Sequence, residues 1–445
     1  MYRTLVRTLA LLLAAVGLMV PVTTTASAAP DNFTPRSGPT FNSPVGDASA
    51  QRAIFRKIMR SINSSPRGSN INIFSWNFLT SEGKDALLRA QRRGVRVRLL
   101  MDKRNLQRID NPPFRRLRAG LQQGNRRVEG KRRSWARVCE GTCRGGGGSA
   151  HSKFFMFSEV GKARKVVMQG SANFTVASST NQWNDIYTHA GNRAVWDFVG
   201  AVFGQAARDK RTTSPYAARS FKDFRLLFFP NVGRNSPDPV MQTLNRVKCQ
   251  GATNTGSGRT RIRIAPDVIR QDRGMRLARK LRQMWQNGCD IRIGYTVVGI
   301  KIGRMLRSDG GRGPVPMKHL VQDFNGDGQF DNYFHLKSMS IVGNYGGDRS
   351  NHLLLNGSAN WSGLAKVSDE NLGVYRNKGR VLRYQKHINY WYENFPSNGG
   401  RRMGTSERVV SDDRLVFGTD EDAVYEDGES VTDGTFDPFA TMPVD

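Results

Sequence analysis

Cysteine is scarce in this chain. There are four in 445 residues, and no two form a Cys-x-x-Cys pair. The shortest zinc-binding spacing is therefore missing. What stays open is a pair of disulfides, the ordinary use of cysteine in an exported protein. Cys139 and Cys143 in "CEGTC" are near enough to close a small loop, which would leave Cys249 for Cys289, although four cysteines admit three pairings. Long apolar runs are also missing. Beyond the N-terminal segment nothing approaches the roughly eighteen consecutive apolar residues of a membrane span. Acidic residues are few, 37 against 68 Lys and Arg, and histidine is rarer still, with six.

The N-terminus does carry a short apolar run, "LALLLAAVGLMV", after Arg3 and Arg7 and ahead of "ASA" at 26–28. That order is a secretory signal with a small-residue cleavage site. The expectation is a signal peptide over 1–28, cleavage after Ala28, and a soluble exported protein. The remainder is too long for one ordinary domain.

The formal net charge is +31, unevenly placed. Ser411–Asp445 holds eleven acidic residues and one Arg, so the rest of the chain carries +41. A body this basic suits an anionic partner: nucleic acid, anionic lipid or an anionic wall polymer. The competing reading is solubility. The acidic tail, 411–445, has no helical or strand period and is expected to be disordered or to lie on the basic surface.

A pattern occurs twice. "NINIFSW", then "GKDALLRAQRRG", then "VRVRLLMD" reads as strand, helix, glycine, strand, and "RTRIRIAP", "RLARKLRQMWQNG", "CDIRIGYTVVG" repeats it. Each half then has an irregular insert, a His-x-Lys, a strand ("KVVMQ", "HLLLN") and Gly-Ser-Ala-Asn. The chain is therefore expected to fold as two α/β domains of one ancestry, near 45–215 and 240–400. The connector "FFPNVGRNSPDPVM" is rich in Pro, Asn and Gly. Residues 29–44 are expected to be an extended arm. Residues 124–150, basic and then Gly-rich, are expected to be a mobile loop leading into His151.

Alternate residues of a strand face one side. His151 and Lys153 would point together, as would His335 and Lys337. A histidine beside an ammonium is a poor cation site and a good anion site. Ser171 and Asn173 of the first GSAN, and Ser358 and Asn360 of the second, add neutral donors. Two such units facing one another fit a tetrahedral phosphate. One histidine can attack phosphorus to give a covalent phospho-enzyme. The other can protonate the departing oxygen and later activate water. The lysines and asparagines stabilise charge on the equatorial oxygens. Nothing in this scheme requires a metal.

The doubled His-x-Lys with a downstream Gly-Ser-x-Asn resembles the phospholipase D superfamily, over most of the chain after the signal peptide. The resemblance implies two homologous domains, each a mixed β-sheet flanked by helices, with the active site at their interface. It implies His151 as nucleophile and His335 as acid and base. Lys153, Lys337, Asn173 and Asn360 would bind phosphate, with Ser171 and Ser358 in support. An acid would orient each histidine, for which Asp185 and Glu370 lie at about the right distance. The chain departs from the family in one respect. The motif's Asp, seven positions after each His, is replaced by Ser158 and by Val342.

Just before the second motif, "DFNGDGQFD" matches the start of a calcium loop, with Asp323, Asn325, Asp327 and Asp331 as candidate ligands. Phe334 stands where a bidentate Glu would belong, so the loop is no complete EF-hand. A bound calcium would be structural.

The leading functional expectation is a secreted phosphodiesterase that cleaves phospholipid headgroups and can transfer them to alcohols. Its partner would be a phospholipid or other anionic phosphodiester, met by a monomer at a membrane surface. Phe174 and Trp361 would meet lipid or pack in the core. A secreted nuclease of the same superfamily is the alternative, favoured by "QQGNRRVEGKRRSWAR" and its capacity to track a phosphate backbone. A non-enzymatic binder of a wall or lipid surface with a relic site is the third reading.

Overall fold

The structure is a computed structural model, and it describes residues 32–233, 236–324 and 330–396. The expected signal peptide and acidic tail lie outside the described residues. Among the described residues no helix is long and apolar enough to cross a membrane.

Alternating apolar positions build two mixed sheets. The first has seven strands in the order Gly38–Phe41, Asp185–His189, Ala163–Gly170, Phe154–Val160, Asn70–Phe74, Arg96–Asp102, Trp135–Cys139. The second has eight: Ala217–Ser220, Phe224–Phe228, Asn371–Tyr375, Asp348–Gly357, Ser338–Tyr345, Arg261–Ala265, Asp290–Tyr295, Met317–His319. From Asp185–His189 and from Asn371–Tyr375 onward the two orders correspond strand for strand. The sense corresponds too, with Asn70–Phe74 parallel to Arg96–Asp102 and antiparallel to Phe154–Val160, as Arg261–Ala265 is to Asp290–Tyr295 and Ser338–Tyr345.

Each parallel crossover is an amphipathic helix. Ser81–Arg92 begins on Thr80, whose hydroxyl accepts from the Gly83 N–H, and buries Ala86, Leu87 and Ala90. Gln271–Gln286 buries Leu277, Ala278, Leu281 and Met284. Both end before a glycine with positive φ, Gly94 at 88° and Gly288 at 91°, the left-handed stop that only glycine adopts cheaply. One apolar core lies beneath each sheet. A third joins the sheets to one another, with Phe74, Phe154 and Tyr187 from the first half and Phe228, Leu354 and Tyr384 from the second.

Three segments differ from expectation. Gly38–Phe41, in the expected arm, pairs with Asp185–His189 as an edge strand. Two strands of the second sheet, Ala217–Ser220 and Phe224–Phe228, precede the Pro- and Asn-rich connector. The 124–150 insert is not a free loop. Trp135–Cys139 is a sheet strand, and Cys143 and Arg144 bond across to Asp369. A short alternation flanked by basic and glycine-rich residues hides such a strand from pattern reading. The disulfides join Cys139 to Cys143 and Cys249 to Cys289.

Candidate active site

Both His-x-Lys motifs sit just ahead of a strand, not within it. Phe154–Val160 follows Lys153, and Ser338–Tyr345 follows Lys337. The motif backbone pairs with the other half instead. Ala150 bridges Asp369, the Lys153 N–H donates to Asn371 Oδ1 (2.7 Å), and the His335 N–H donates to the Trp183 carbonyl (3.0 Å).

Each Gly-Ser-Ala-Asn begins on the last residue of the adjoining strand, Gly170 or Gly357. A Cβ on Gly170 would lie 2.2 Å from the Asp185 carbonyl oxygen, and one on Gly357 would lie 2.0 Å from that of Asn371. No side chain fits there. The serine that follows then turns back on the neighbouring strand. Ser171 Oγ accepts from the Asp185 N–H (3.0 Å) and donates to Asn184 Oδ1 (2.8 Å). Ser358 Oγ accepts from the Asn371 N–H (2.9 Å) and donates to Glu370 Oε2.

These two serines hold the partners of the histidines, and the partners are exchanged between halves. Glu370, from the second half, lies 2.7 Å from His151 Nδ1 through Oε1. Asn184, from the first half, lies 2.7 Å from His335 Nδ1 through Oδ1. Neither half therefore completes its own histidine. Asn184 donates through Nδ2 to the Ser178 carbonyl (3.0 Å) and Gln182 Oε1 (3.1 Å), so its oxygen faces His335 and the ring hydrogen is assigned to Nδ1.

The sequence expectation for Asp185 is corrected here: the group against His335 is its neighbour, Asn184. Asp185 corresponds to Asn371 and points the other way, accepting from Asn356 Nδ2 and the Tyr384 hydroxyl (both 2.6 Å). Burial pushes its carboxyl up, and those bonds only partly offset the shift. A period-2 strand explains the exchange, since a slip of one residue reverses the face presented. Burial would also push Glu370 up. The charge of His151, the bond to it, and Lys153 more than offset that, and Glu370 is held below the ordinary carboxylate range.

His151, Lys153, His335, Lys337, Asn173, Asn360, Ser171 and Ser358 are all buried. His151 Nε2 makes no hydrogen bond among the described residues. Lys153 Nζ donates to the His151 carbonyl (2.9 Å) and stands 5.8 Å from the centre of the Trp76 ring. Lys337 Nζ pairs with Asp267 Oδ2 at 3.0 Å. Asn173 Oδ1 accepts from Ser75 Oγ (3.3 Å), while Asn360 Oδ1 has no partner among the described residues. At the centre Gln169 Nε2 donates to Asn356 Oδ1 (2.9 Å), two positions equivalent in the halves, each preceding its GSAN glycine.

Sequence reasoning missed Asn184, Trp76, Asp267 and the brace behind Glu370. There Arg144, buried, pairs with Asp369 at 3.0 Å, and burial pushes the Asp369 carboxyl up to about 6 despite that charge. Asn184 stands immediately before the strand Asp185–His189 as Glu370 stands before Asn371–Tyr375. It lies 13 residues after its serine, however, and Glu370 only 12 after its own, so aligning the halves on their serines without a gap sets Trp183 opposite Glu370.

Phe174 and Trp361 belong to the two cores. At the positions of the absent motif acids, Ser158 Oγ accepts from the Asn70 N–H (2.8 Å) and Val342 packs between the sheets. Of the calcium candidates, Asn325 and Asp327 lie outside the described residues. Asp323 is buried, and an Asp331 oxygen accepts from the Phe324 N–H (2.5 Å). Among the described residues the one acid, cysteine or histidine group compact enough for a metal is Cys139, Cys143 and Asp209, whose sulfurs are bonded to each other.

Residues 58–198 match the family described as "Cardiolipin synthase, PLD-like domain". The fold resembles that of phosphatidylserine synthase from Haemophilus influenzae, with a TM-score of 0.52 and 14% identity over 80% of this chain and 86% of that one. Residues 58–198 therefore form a phospholipase D-like domain. Polyphosphate kinase from Porphyromonas gingivalis is also similar in fold, with a TM-score of 0.50 and 13% identity over 80% of this chain and half of the kinase. No curated protein matches the sequence. A phospholipase D-like domain fits a phosphodiesterase-type fold. These likenesses, at 13% and 14% identity, concern the fold alone.

Proposed function

We propose that the protein is an exported phosphodiesterase that cleaves phospholipid headgroups through a covalent phosphohistidine. The observation that supports this best is the reciprocal exchange, in which each motif histidine is oriented by a residue of the other half.

The roles follow from what stands behind each ring. His151 Nε2 attacks phosphorus and its ring becomes cationic. Glu370, a buried carboxylate at Nδ1, compensates that charge. His335 is held by a neutral amide, carries its proton on Nε2 when charged, and gives it to the departing alcohol oxygen. It then takes a proton from water, which cleaves the P–N bond, or from a second alcohol, which gives transfer. Lys153, Lys337, Asn173 and Asn360 hold the phosphoryl oxygens. These side chains supply both proton transfer and charge neutralisation. A calcium ion in the Asp323–Asp331 loop would act on loop geometry beside His335 and not on phosphorus.

A nuclease remains the second reading, because Arg126, Lys131, Arg132 and Arg133 form an exposed basic stretch on the first half. Product release separates the two. Phosphatidylcholine vesicles, phosphatidylglycerol vesicles and plasmid DNA are incubated in EDTA with wild type, His151→Ala and His335→Ala. Headgroup release lost in both variants is the expected result. Cleavage of DNA alone would move the assignment to nuclease, and silence on all three would refute the lipid reading. Export predicts Ala29 as the first residue of the secreted protein, which N-terminal sequencing reads directly.

A further inference from the structure

The two half-sites share a frame and differ at a further pair of equivalent positions. Two residues beyond the strand Asn70–Phe74 stands Trp76, and two beyond Arg261–Ala265 stands Asp267. The Trp76 ring lies edge-on to His151 with centres 5.8 Å apart. Asp267 Oδ2 lies 3.0 Å from Lys337 Nζ and 3.9 Å from His335 Nε2. Its other oxygen, Oδ1, is buried and receives no hydrogen bond from the described residues. A buried carboxylate oxygen without a donor is costly. A negative charge beside a phosphate-binding nitrogen also works against the phosphate. Packing explains neither feature. A substrate that brings its own donor explains both.

We infer that Asp267 is a specificity-determining residue that accepts a hydrogen bond from the alcohol portion of the substrate and so selects a polyol, such as glycerol, over a simple alcohol. The inference rests on the phosphodiesterase reading above. The departing ester oxygen must come within hydrogen-bond reach of His335 Nε2 to take its proton. A hydroxyl on the neighbouring carbon lies about 3 Å further on, one hydrogen-bond length. Asp267, 3.9 Å from the same nitrogen, is the acceptor within that reach. An ammonium in this place would face Lys337, which already brings positive charge to the same carboxylate. The backbone sets the side chain in place. Asp267 has φ of 45°, and its carbonyl accepts from the Thr296 N–H (2.9 Å) and the Val297 N–H (2.8 Å). Trp76 presents an aromatic wall at the other end, so the two sides of the phosphodiester meet different surfaces.

Calorimetric binding tests this with four probes: inorganic phosphate, glycerol phosphate, propyl phosphate and phosphorylethanolamine. Two variants accompany the wild type. Asp267→Gly removes the carboxylate at a φ that glycine adopts freely. Asp267→Asn keeps an acceptor oxygen in a left-handed position that Asn also tolerates. Wild type should bind glycerol phosphate about tenfold more tightly than propyl phosphate, the value of one hydrogen bond to a charged group. The preference should vanish in Asp267→Gly and survive in part in Asp267→Asn. Inorganic phosphate should bind both variants at least as well as wild type.

Equal binding of glycerol and propyl phosphate by wild type, or a preference that survives Asp267→Gly, overturns the inference while leaving the phosphate site intact. Tighter binding of phosphorylethanolamine than of glycerol phosphate overturns it in favour of an ammonium headgroup. Failure of inorganic phosphate to bind wild type would sink the phosphodiesterase reading itself, and this inference with it.

Discussion

Replacing Glu370 by Gln should stop the reaction by giving His151 the wrong tautomer. The carboxylate takes two bonds, from Ser358 Oγ at Oε2 and from His151 Nδ1 at Oε1, 2.7 Å away. A glutamine has one oxygen and one NH2 to divide between them. Ser358 decides which goes where. Its oxygen already accepts the Asn371 N–H, so its hydrogen must be donated, and the amide oxygen turns toward it. The NH2 then faces Nδ1, which must accept, and the ring hydrogen moves to Nε2. A nucleophile that carries a proton on its attacking nitrogen is disabled. In a serine-protease triad the corresponding carboxylate-to-amide change costs about 10⁴-fold, and a loss of about 10³- to 10⁴-fold in kcat is expected here. Charge loss without a tautomer change would remove only about 1.5–3 kcal/mol, roughly 10- to 150-fold. The double variant Glu370→Gln, Ser358→Ala frees the amide to turn over and should recover part of the lost rate. The assay is single-turnover cleavage of a chromogenic phosphodiester with acid-labile phosphohistidine trapped by rapid quench. Less than a tenfold loss in Glu370→Gln, or a double variant slower than the single one, would refute the tautomer argument.

Other perturbations separate the remaining roles. His335→Ala should still form the phospho-enzyme from a p-nitrophenyl ester, whose leaving group needs no proton, and should lose an alkyl ester; His151→Ala should lose both. Quench trapping with the two esters reads this, and an inactive His335→Ala on the activated ester would reverse the assignment. Gly170→Ala places a Cβ 2.2 Å from the Asp185 carbonyl, and should cost about 2–3 kcal/mol of stability by overpacking; a denaturant midpoint within error of wild type would contradict the reading of GSAN. Acid should destabilise the fold through His189. Burial holds its pKa down to about 3, so between that value and the ordinary 6.5 the unfolded chain binds a proton that the folded chain does not. The stability it confers is present near neutrality and is lost as pH falls through that window. His189→Phe, within the cluster of Tyr187, Phe224 and Tyr375, should reduce the pH slope of unfolding free energy between pH 4 and 6 by about 1.4 kcal/mol per unit. An unchanged slope would show that another group takes up the proton.

The sequence by itself determined the repeat and the candidate residues of the site. Period-2 strands, a helix closed by a glycine and a His-x-Lys followed by GSAN are all local patterns, and each appears twice. They marked His151, Lys153, His335 and Lys337 as candidate phosphate-binding residues without a coordinate, and the family resemblance added Glu370 as a candidate acid behind a histidine. What local pattern could not reach was anything decided between halves. Asp185 and Asn184 are adjacent in sequence, and only the register of the strand they open shows that Asn184 faces His335 while Asp185 turns toward Tyr384. The arm, the insert before His151 and Asp267 lack a periodic signal of their own. Each takes its place by pairing with residues more than a hundred positions away or by a backbone turn that propensity does not encode. The exchange of histidine partners is the clearest instance. Two interlocked halves present surfaces that neither carries alone, so tertiary structure decided which residues complete the site.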